Sequence, residues 1–343
     1  MAEDQRSESS LQDIVYGYMP AQIVYTAARL NVADELAAGP RTLTELAAAT
    51  STHPPSLHRL LRGLAALNAV TELGDDRFEL APAGHELRGD TPNSIKASVL
   101  WFGSPEMMRA WGELEYSVRT GKASWDHVFG TKPFDYLSAN PERYELFHSA
   151  MADRARVAAP AIASGYDYSR FGTLMDVGGG NGQLLSLILE ATPGLRGVLF
   201  DHPTGVGAAE ANLQAVGVGD RCEVVAGDFF VEVPAGADAY LMKTVIHQWN
   251  EEESATILGN VRKVIPKDGS LLLVERVLPA RVESDDVRRS FLHDLNVLVT
   301  TAGKERTEAE FRALLEASDF EVTEVVATKD EPTAYRIMVA KPI

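Results

Sequence analysis

"TLMDVGGGNGQLLSLILEA", residues 173–191, holds two textures in one run. Leu174, Met175 and Val177 make a short apolar stretch, and glycines follow at Gly178, Gly180 and Gly182. Beyond them Leu184, Leu185, Ile188 and Leu189 recur at helical spacing. A strand, a glycine turn and a helix in succession open an α/β unit. Towards the C-terminus the change repeats. "RGVLFD" (196–201), "CEVVAGDFF" (222–230), "AYLMKTVI" (239–246) and "SLLLVERVL" (270–278) are apolar runs that end in glycine or a polar residue. Helical stretches such as "EEESATILGNVRKVI" (251–265) lie between them. This alternation predicts a doubly wound, mostly parallel sheet over residues 166–343. The last two runs, "FEVTEVVAT" (320–328) and "YRIMVAKP" (335–342), are close enough to close the sheet as an antiparallel pair.

Ligands of such sheets bind outside the carboxyl ends of the strands. The residues at those ends are therefore the candidates: Asp176, Asp201, Asp228, Lys243 with His247, and Glu275. The glycine pattern is G-x-G-x-G. A dinucleotide loop would place its third glycine where Gln183 stands. Asp201 lies 19 residues beyond Gly182, about the distance at which an acid meets ribose hydroxyls. Asp228, in "GDFF", can accept from an adenine amino group while Phe229 packs on the base. Its plainer reading is a turn former after glycine. His247 ends an apolar run in "TVIHQWNEEES" (244–254). It is either a wet strand end or a general base facing a substrate. Glu275 follows Leu271 and Leu273 by twos, so it continues an apolar strand face.

Residues 96–165 read as a helical linker rich in aromatics, including Trp101, Phe102, Trp111, Trp125, Phe134 and Phe147. Helix packing explains most of them, and some are expected to wall a pocket for a flat ligand. In residues 1–95, Leu11 to Leu36 is apolar at helical spacing, with Pro20 expected to bend it. Thr42-x-x-Glu45 is a capping-box pattern. "HPPSLHRLLRGLAALNAV" (53–70) starts a helix on prolines, and "AVTELGDDRFELAP" (69–82) reads as a hairpin. Helix, helix, hairpin is a winged-helix pattern. From Arg41 to Asp90 there are five basic residues against seven acidic ones, too little positive charge to grip phosphates. This part is read as scaffold.

"DVGGGNG" (176–182), "FDHP" (200–203), "GDFF" (227–230), "HQW" (247–249), "ERVLP" (275–279) and "GKERT" (303–307), in that order, resemble the S-adenosylmethionine-dependent O-methyltransferases of the plant caffeate and bacterial antibiotic type. The resemblance spans nearly the whole chain. It implies a winged-helix dimerisation domain, a Rossmann-like methyltransferase domain, a homodimer, and S-adenosyl-L-methionine as methyl donor with S-adenosyl-L-homocysteine as product. Asp176, Gly178 and Gly180 would border the cofactor, the two glycines at its amino-acid portion. Asp201 would hold the ribose, Asp228 and Phe229 the adenine, and Lys243 and Trp249 the remaining wall. His247 would be the catalytic base, with Glu275 and Glu305 as its orienting acids. From the residues alone, Glu305 reads as a loop residue before the Thr307-x-x-Glu310 capping box. Candidate substrate walls are Trp101, Phe102, Phe147, His148 and Met151, then Leu292, Asp294, Leu295, Asn296 and Val299 from "FLHDLNVLVTT" (291–301). Core packing is an equal reading of Leu292 and Leu295. The chain departs from the family at Gln248, where Asp is usual, and at Thr301-Ala302-Gly303, where plant enzymes carry Asn-Pro-Gly-Gly.

Bulk properties narrow the field. A net charge of −17 over 343 residues disfavours nucleic acid as a partner. The single cysteine, Cys222, permits no internal disulfide and fits a reducing compartment. Met1 to Ser10 lacks the basic and apolar segments of a signal peptide, and no apolar run is long enough for a membrane span. A cytoplasmic protein is expected. No His/Asp/Glu set has metal-ligand spacing, so no metal is expected. The expectation is methyl transfer to a phenolic hydroxyl of an aromatic secondary metabolite. Its rival is a non-methylating relative that holds the cofactor during isomerisation, decarboxylation or hydroxylation. A DNA-binding regulator and a nicotinamide dehydrogenase are disfavoured by the charge count and the glycine spacing.

Overall fold

The computed structural model describes residues 11–282, 288–328 and 335–343, and the chain divides into two compact units, Met1–Met108 and Arg109–Ile343. In the first unit, β1 (Arg41–Thr42), β2 (Val70–Leu73) and β3 (Arg77–Leu80) form an antiparallel sheet in the order β1-β3-β2. The hairpin turns through Asp75 and Asp76 at φ 59° and 53°, a left-handed conformation that Asp tolerates. The helix Pro54–Ala66 opens on proline and buries Leu57, Leu61 and Leu64. They pack with Leu36, Leu46, Val70 and Phe78. The Thr42–Glu45 capping box forms as read. Pro20 does not bend its helix. It lies in the first turn of Tyr18–Arg29, where its missing N–H breaks no intrahelical bond. The chain breaks instead at Gly17 and at Asn31, whose φ is 55°. Leu11, Val15, Tyr16 and Tyr18 stay at least half exposed.

The second unit is built on β4 (Thr173–Val177), β5 (Arg196–Asp201), β6 (Cys222–Ala226), β7 (Ala239–Lys243), β8 (Ser270–Leu278), β9 (Arg306–Thr307), β10 (Phe320–Ala327) and β11 (Tyr335–Pro342). The sheet order is β10-β11-β8-β7-β4-β5-β6, with β9 pairing β8 at its end. The five strands β4 to β8 are parallel, and β10 and β11 close the edge antiparallel. Parallel strands covered on both faces must be apolar throughout. Successive residues then feed opposite cores. Leu174, Leu241 and Leu272 join one cluster; Met175, Tyr240, Met242, Leu271 and Leu273 join the other. At β4 the chain order reverses, with β5 on one side and β7 on the other. A crevice opens there beyond the strand ends.

Candidate active site

His247 sits in a single 3-10 turn, Ile246–Gln248, just beyond β7. Its backbone is clamped from four directions. Glu275 Oε1 accepts from the N–H of Ile246 at 2.9 Å and of His247 at 3.4 Å. The Lys304 N–H donates to the His247 carbonyl at 2.8 Å. Arg306, only 1% exposed, donates to the carbonyls of Ile246 (3.4 Å) and Trp249 (3.3 Å). Gln248 Nε2 donates to the Thr244 carbonyl at 2.9 Å, a bond the family's usual Asp could not make. Thr244 itself is held at φ 54°, strained for a β-branched residue.

The imidazole is set by a second layer of contacts. His247 Nδ1 lies 2.9 Å from Glu305 Oε1, and His293 Nδ1 lies 2.7 Å from the same oxygen. Arg154 Nη2 stands 2.9 Å from His293 Nε2. Arginine only donates, so His293 Nε2 accepts and its Nδ1–H points to Glu305. His293 is therefore neutral. Burial pushes it down to about 4, against the hydrogen bond to Glu305. Burial alone would raise Glu305, but His247 and His293 outweigh it and hold the carboxyl well below its usual range. An ionised Glu305 takes the Nδ1–H of His247, which leaves the Nε2 lone pair as the free basic atom. Glu275, by contrast, touches the loop backbone and not the ring. Burial pushes it up to about 7. The two acids thus differ: Glu305 orients the imidazole, and Glu275 anchors the turn that carries it.

His247 opens onto a cavity of about 670 Å³ whose lining residues all belong to the second unit. One end is acidic, with Asp176, Asp201 and Asp228. Gly178, Gly180 and Gly182 adopt φ of 76°, 57° and 79°. A Cβ on Gly178 would come 2.7 Å from Val245 Cγ2, so both conformation and space require glycine. Asp201 braces this loop, accepting from Gly180 N at 2.7 Å and His202 N at 2.6 Å. Asp228 Oδ1 accepts from Phe230 N at 2.8 Å, so it does form a turn. Its other oxygen has no partner among the described residues. Burial pushes Asp176 up to about 7, with Asp201 adding to the effect and Lys243 opposing it. Phe229, Lys243 and Trp249 complete this wall.

A further part of the lining comes from the helices Pro133–Ala139 and Pro141–Ser164, which supply Phe134, Tyr144, Phe147, His148 and Met151. Phe134 packs between Phe147 and Trp249, with ring centroids 6.1 and 6.0 Å away. Burial lowers the His148 pKa. The five candidates from the helix Arg288–Thr301 do not line the cavity. Leu292 is 52% exposed, Leu295 is half-buried and Val299 is fully buried. Asp294 accepts from Glu305 N at 2.8 Å, and Asn296 from Trp111 Nε1 at 3.2 Å. The helix Arg288–Thr301 turns His293 and Thr301 to the cavity, eight residues apart on one helical face. Trp101 and Phe102 belong to the first unit, in the helix Lys96–Phe102.

Sequence reasoning missed Arg154 and Arg276 and underrated His293. Arg154 was legible, since it lies three residues beyond Met151 on one helical face. It also missed that His247, His293 and Glu305 gather in space, with possible ligand atoms within 4.8 Å of one another. Both Nδ1 atoms are engaged on Glu305 as donors. Arg154 on His293, and Arg276 at 3.8 Å from Glu305, already supply positive charge where a metal ion would sit.

Residues 111–321 match the family model of the O-methyltransferase domain, and residues 12–87 match that of the O-methyltransferase dimerisation domain. The sequence is 41% identical over 339 residues to the O-demethylpuromycin-O-methyltransferase of Streptomyces alboniger, covering 98% of this chain and 90% of that protein. The structure matches that of the mitomycin 7-O-methyltransferase with a TM-score of 0.91 at 36% identity, covering 98% of each chain. It also matches an O-methyltransferase from neocarzinostatin biosynthesis, solved with S-adenosylmethionine and 2-hydroxy-5-methyl naphthoic acid. There the TM-score is 0.81 at 30% identity, covering 95% of this chain and 96% of that one.

Proposed function

Because this chain belongs to the O-methyltransferase family, we propose that it moves a methyl group from S-adenosylmethionine to a phenolic hydroxyl of an aromatic secondary metabolite, with His247 as general base. The observation that carries this reading is the shared Glu305 oxygen, which fixes the His247 tautomer with its basic nitrogen free. The acidic end of the cavity suits a ligand with a sulfonium and an ammonium charge. The unpartnered oxygen of Asp228 suits the adenine amino group, with Phe229 beside it. The glycine loop admits backbone contact, and Asp201 stands beside it for the ribose.

S-adenosylmethionine supplies a methyl group already activated by its sulfonium charge. The chain must then align an oxygen nucleophile and remove its proton. A phenol near pKa 10 and an imidazole near 6.5 make complete prior transfer uphill by roughly 5 kcal/mol. His247 instead takes the proton as the oxygen attacks, which contributes ~10²–10⁴-fold. Glu305 favours the imidazolium that forms. Alignment by the aromatic wall supplies the larger share.

We assign residues 1–95 to dimerisation, 96–165 to the linker that contributes to the pocket, and 166–343 to cofactor binding and catalysis. The functional form is a homodimer in which Tyr16, Tyr18 or Met19 reaches the partner's pocket. No metal takes part. No helix among the described residues is long and apolar enough to cross a membrane. The test is methyl transfer from labelled S-adenosylmethionine to a panel of phenols, in the presence and absence of EDTA. Label on oxygen at an EDTA-independent rate supports the reading; an EDTA-sensitive rate removes its metal-free part.

A further inference from the structure

Asp176 ends the central strand β4 in a setting unlike that of the other two aspartates of the cavity. Asp201 accepts from two backbone amides and Asp228 from one. Asp176 is 2% exposed, lines the cavity, and has no hydrogen-bond or ion-pair partner among the described residues. Its register neighbours are Leu199 on β5 and Leu241 on β7, both fully buried. The glycine loop lies over its carboxyl group, since a Cβ on Gly179 would stand 2.8 Å from it. A carboxyl group with apolar flanks and no donor favours its neutral form.

The titratable groups around it do not reverse that preference. Asp201 on β5 opposes a second negative charge, and Lys243 on β7 favours one. Lys243 makes no ion pair with Asp176 among the described residues, and its Nζ lies 5.4 Å from the centre of the Tyr335 ring. Tyr168 and Cys222 are themselves pushed up by burial, Cys222 to about 11, so both stay neutral. His202 and Asp228 line the same cavity. Burial is the largest influence on Asp176 and pushes it up to about 7.

We propose that Asp176 holds a proton in the cofactor-free chain and releases it to solvent when S-adenosylmethionine binds, so that cofactor binding is proton-coupled. The inference rests on the methyl-transfer reading above. The sulfonium brings the positive charge that the carboxyl group lacks into a low-dielectric cavity, where it favours the carboxylate. S-adenosylhomocysteine carries the same ammonium and carboxylate without that charge, so it displaces less of the proton. Loss of the methyl group therefore loosens the hold of the site on the product. Below about pH 7 the free chain must shed a proton to bind, so S-adenosylmethionine affinity rises with pH and levels off above that value.

The test is calorimetry of S-adenosylmethionine binding to the full chain in two buffers of different ionisation enthalpy, which counts the protons released. The range is about pH 5.5 to 7, in which the ammonium and carboxylate of the cofactor keep their charges. About half a proton or more should leave per chain near pH 6.5, and affinity should rise about tenfold across the range. S-adenosylhomocysteine should release fewer protons. Asp176→Asn has the shape of the protonated acid and no proton to release, so both effects should disappear in it. Equal release by the parent and by Asp176→Asn overturns the proposal, as does a parent chain that releases none. Equal release with both ligands removes the role of the sulfonium charge and overturns it too. Should the variant not fold, the infrared difference spectrum of the parent decides: a protonated carboxyl band must be lost on binding, and an unchanged band overturns the proposal. A chain that binds neither ligand would strike the methyl-transfer reading instead, which keeps the two failures apart.

Discussion

Glu305 Oε1 receives two imidazole N–H groups, and that sharing settles where both protons lie. Removing the base by His247→Ala should lower kcat by about two orders of magnitude or more, with S-adenosylhomocysteine binding intact. Unchanged turnover would mean that the substrate ionises unaided. The two glutamates should respond differently to the same change. Glu305→Gln loses the charge that favours the imidazolium, so kcat should fall about ten- to hundredfold. Glu275→Gln keeps an acceptor for the amides of Ile246 and His247, so kcat should stay within about threefold. Equal losses in both would contradict this division of roles. Glu275 also carries a pH signature. Burial holds it near 7 in the folded chain, against an ordinary value of 4.5. Below about pH 4.5 both states keep the proton and nothing is lost. As pH rises towards 7 the unfolded chain releases its proton first, so stability falls, by at most about 3 kcal/mol once pH passes 7. The Tm advantage of Glu275→Gln over the parent should therefore grow from pH 5 to pH 8. A difference that stays flat would show that Glu275 is ionised in the fold.

At the scale of elements, the turn after β7 is held by a segment far away in sequence, and Gly303 is its closest approach. A Cβ there would stand 2.2 Å from the His247 carbonyl oxygen and 2.7 Å from the Gln248 carbonyl carbon. Both are backbone atoms, so the turn itself would have to move. Gly303→Ala should cost about 1–3 kcal/mol of stability and lower kcat with it, read by thermal unfolding and turnover together. Wild-type values for both would show that the turn is not tightly held. The same distance explains what the sequence could not tell. The parallel strands were legible because each apolar run stops at a polar residue, and Asp176, Asp201, Asp228 and Lys243 among those stops line the cavity. Glu305 looked like a loop residue because its partner is 58 positions away, and no local pattern records that pairing. The sequence of residues 291–301 indicates a helix but not its phase, so it does not tell which of Leu292, Asp294, Leu295, Asn296 and Val299 face the cavity. The face that meets the cavity carries His293 and Thr301 instead. Pro20 misled because a proline in a first turn looks the same in sequence as one at a bend.

At the scale of the molecule, the first unit leaves Leu11 at 82%, Val15 at 70% and Tyr18 at 58% exposure, too much apolar surface in one short stretch to stay wet. Residues 12–87 match a dimerisation domain, and we propose that this surface is buried against the partner. A chain lacking residues 1–20 should run as a monomer in light scattering and lose most of its turnover. A dimer with full activity would refute the proposed role of Tyr16, Tyr18 and Met19. The central claim, methyl transfer to a phenolic oxygen with His247 as base, is tested most directly by one measurement. An extract of the producing cell is incubated with the enzyme and methyl-labelled S-adenosylmethionine, beside a parallel sample with His247→Ala, and both are read by mass spectrometry. One aromatic species should gain a single labelled methyl on oxygen, with an equal amount of S-adenosylhomocysteine, and the variant should form it about a hundredfold more slowly. A species that changes while no S-adenosylmethionine is consumed would contradict the account.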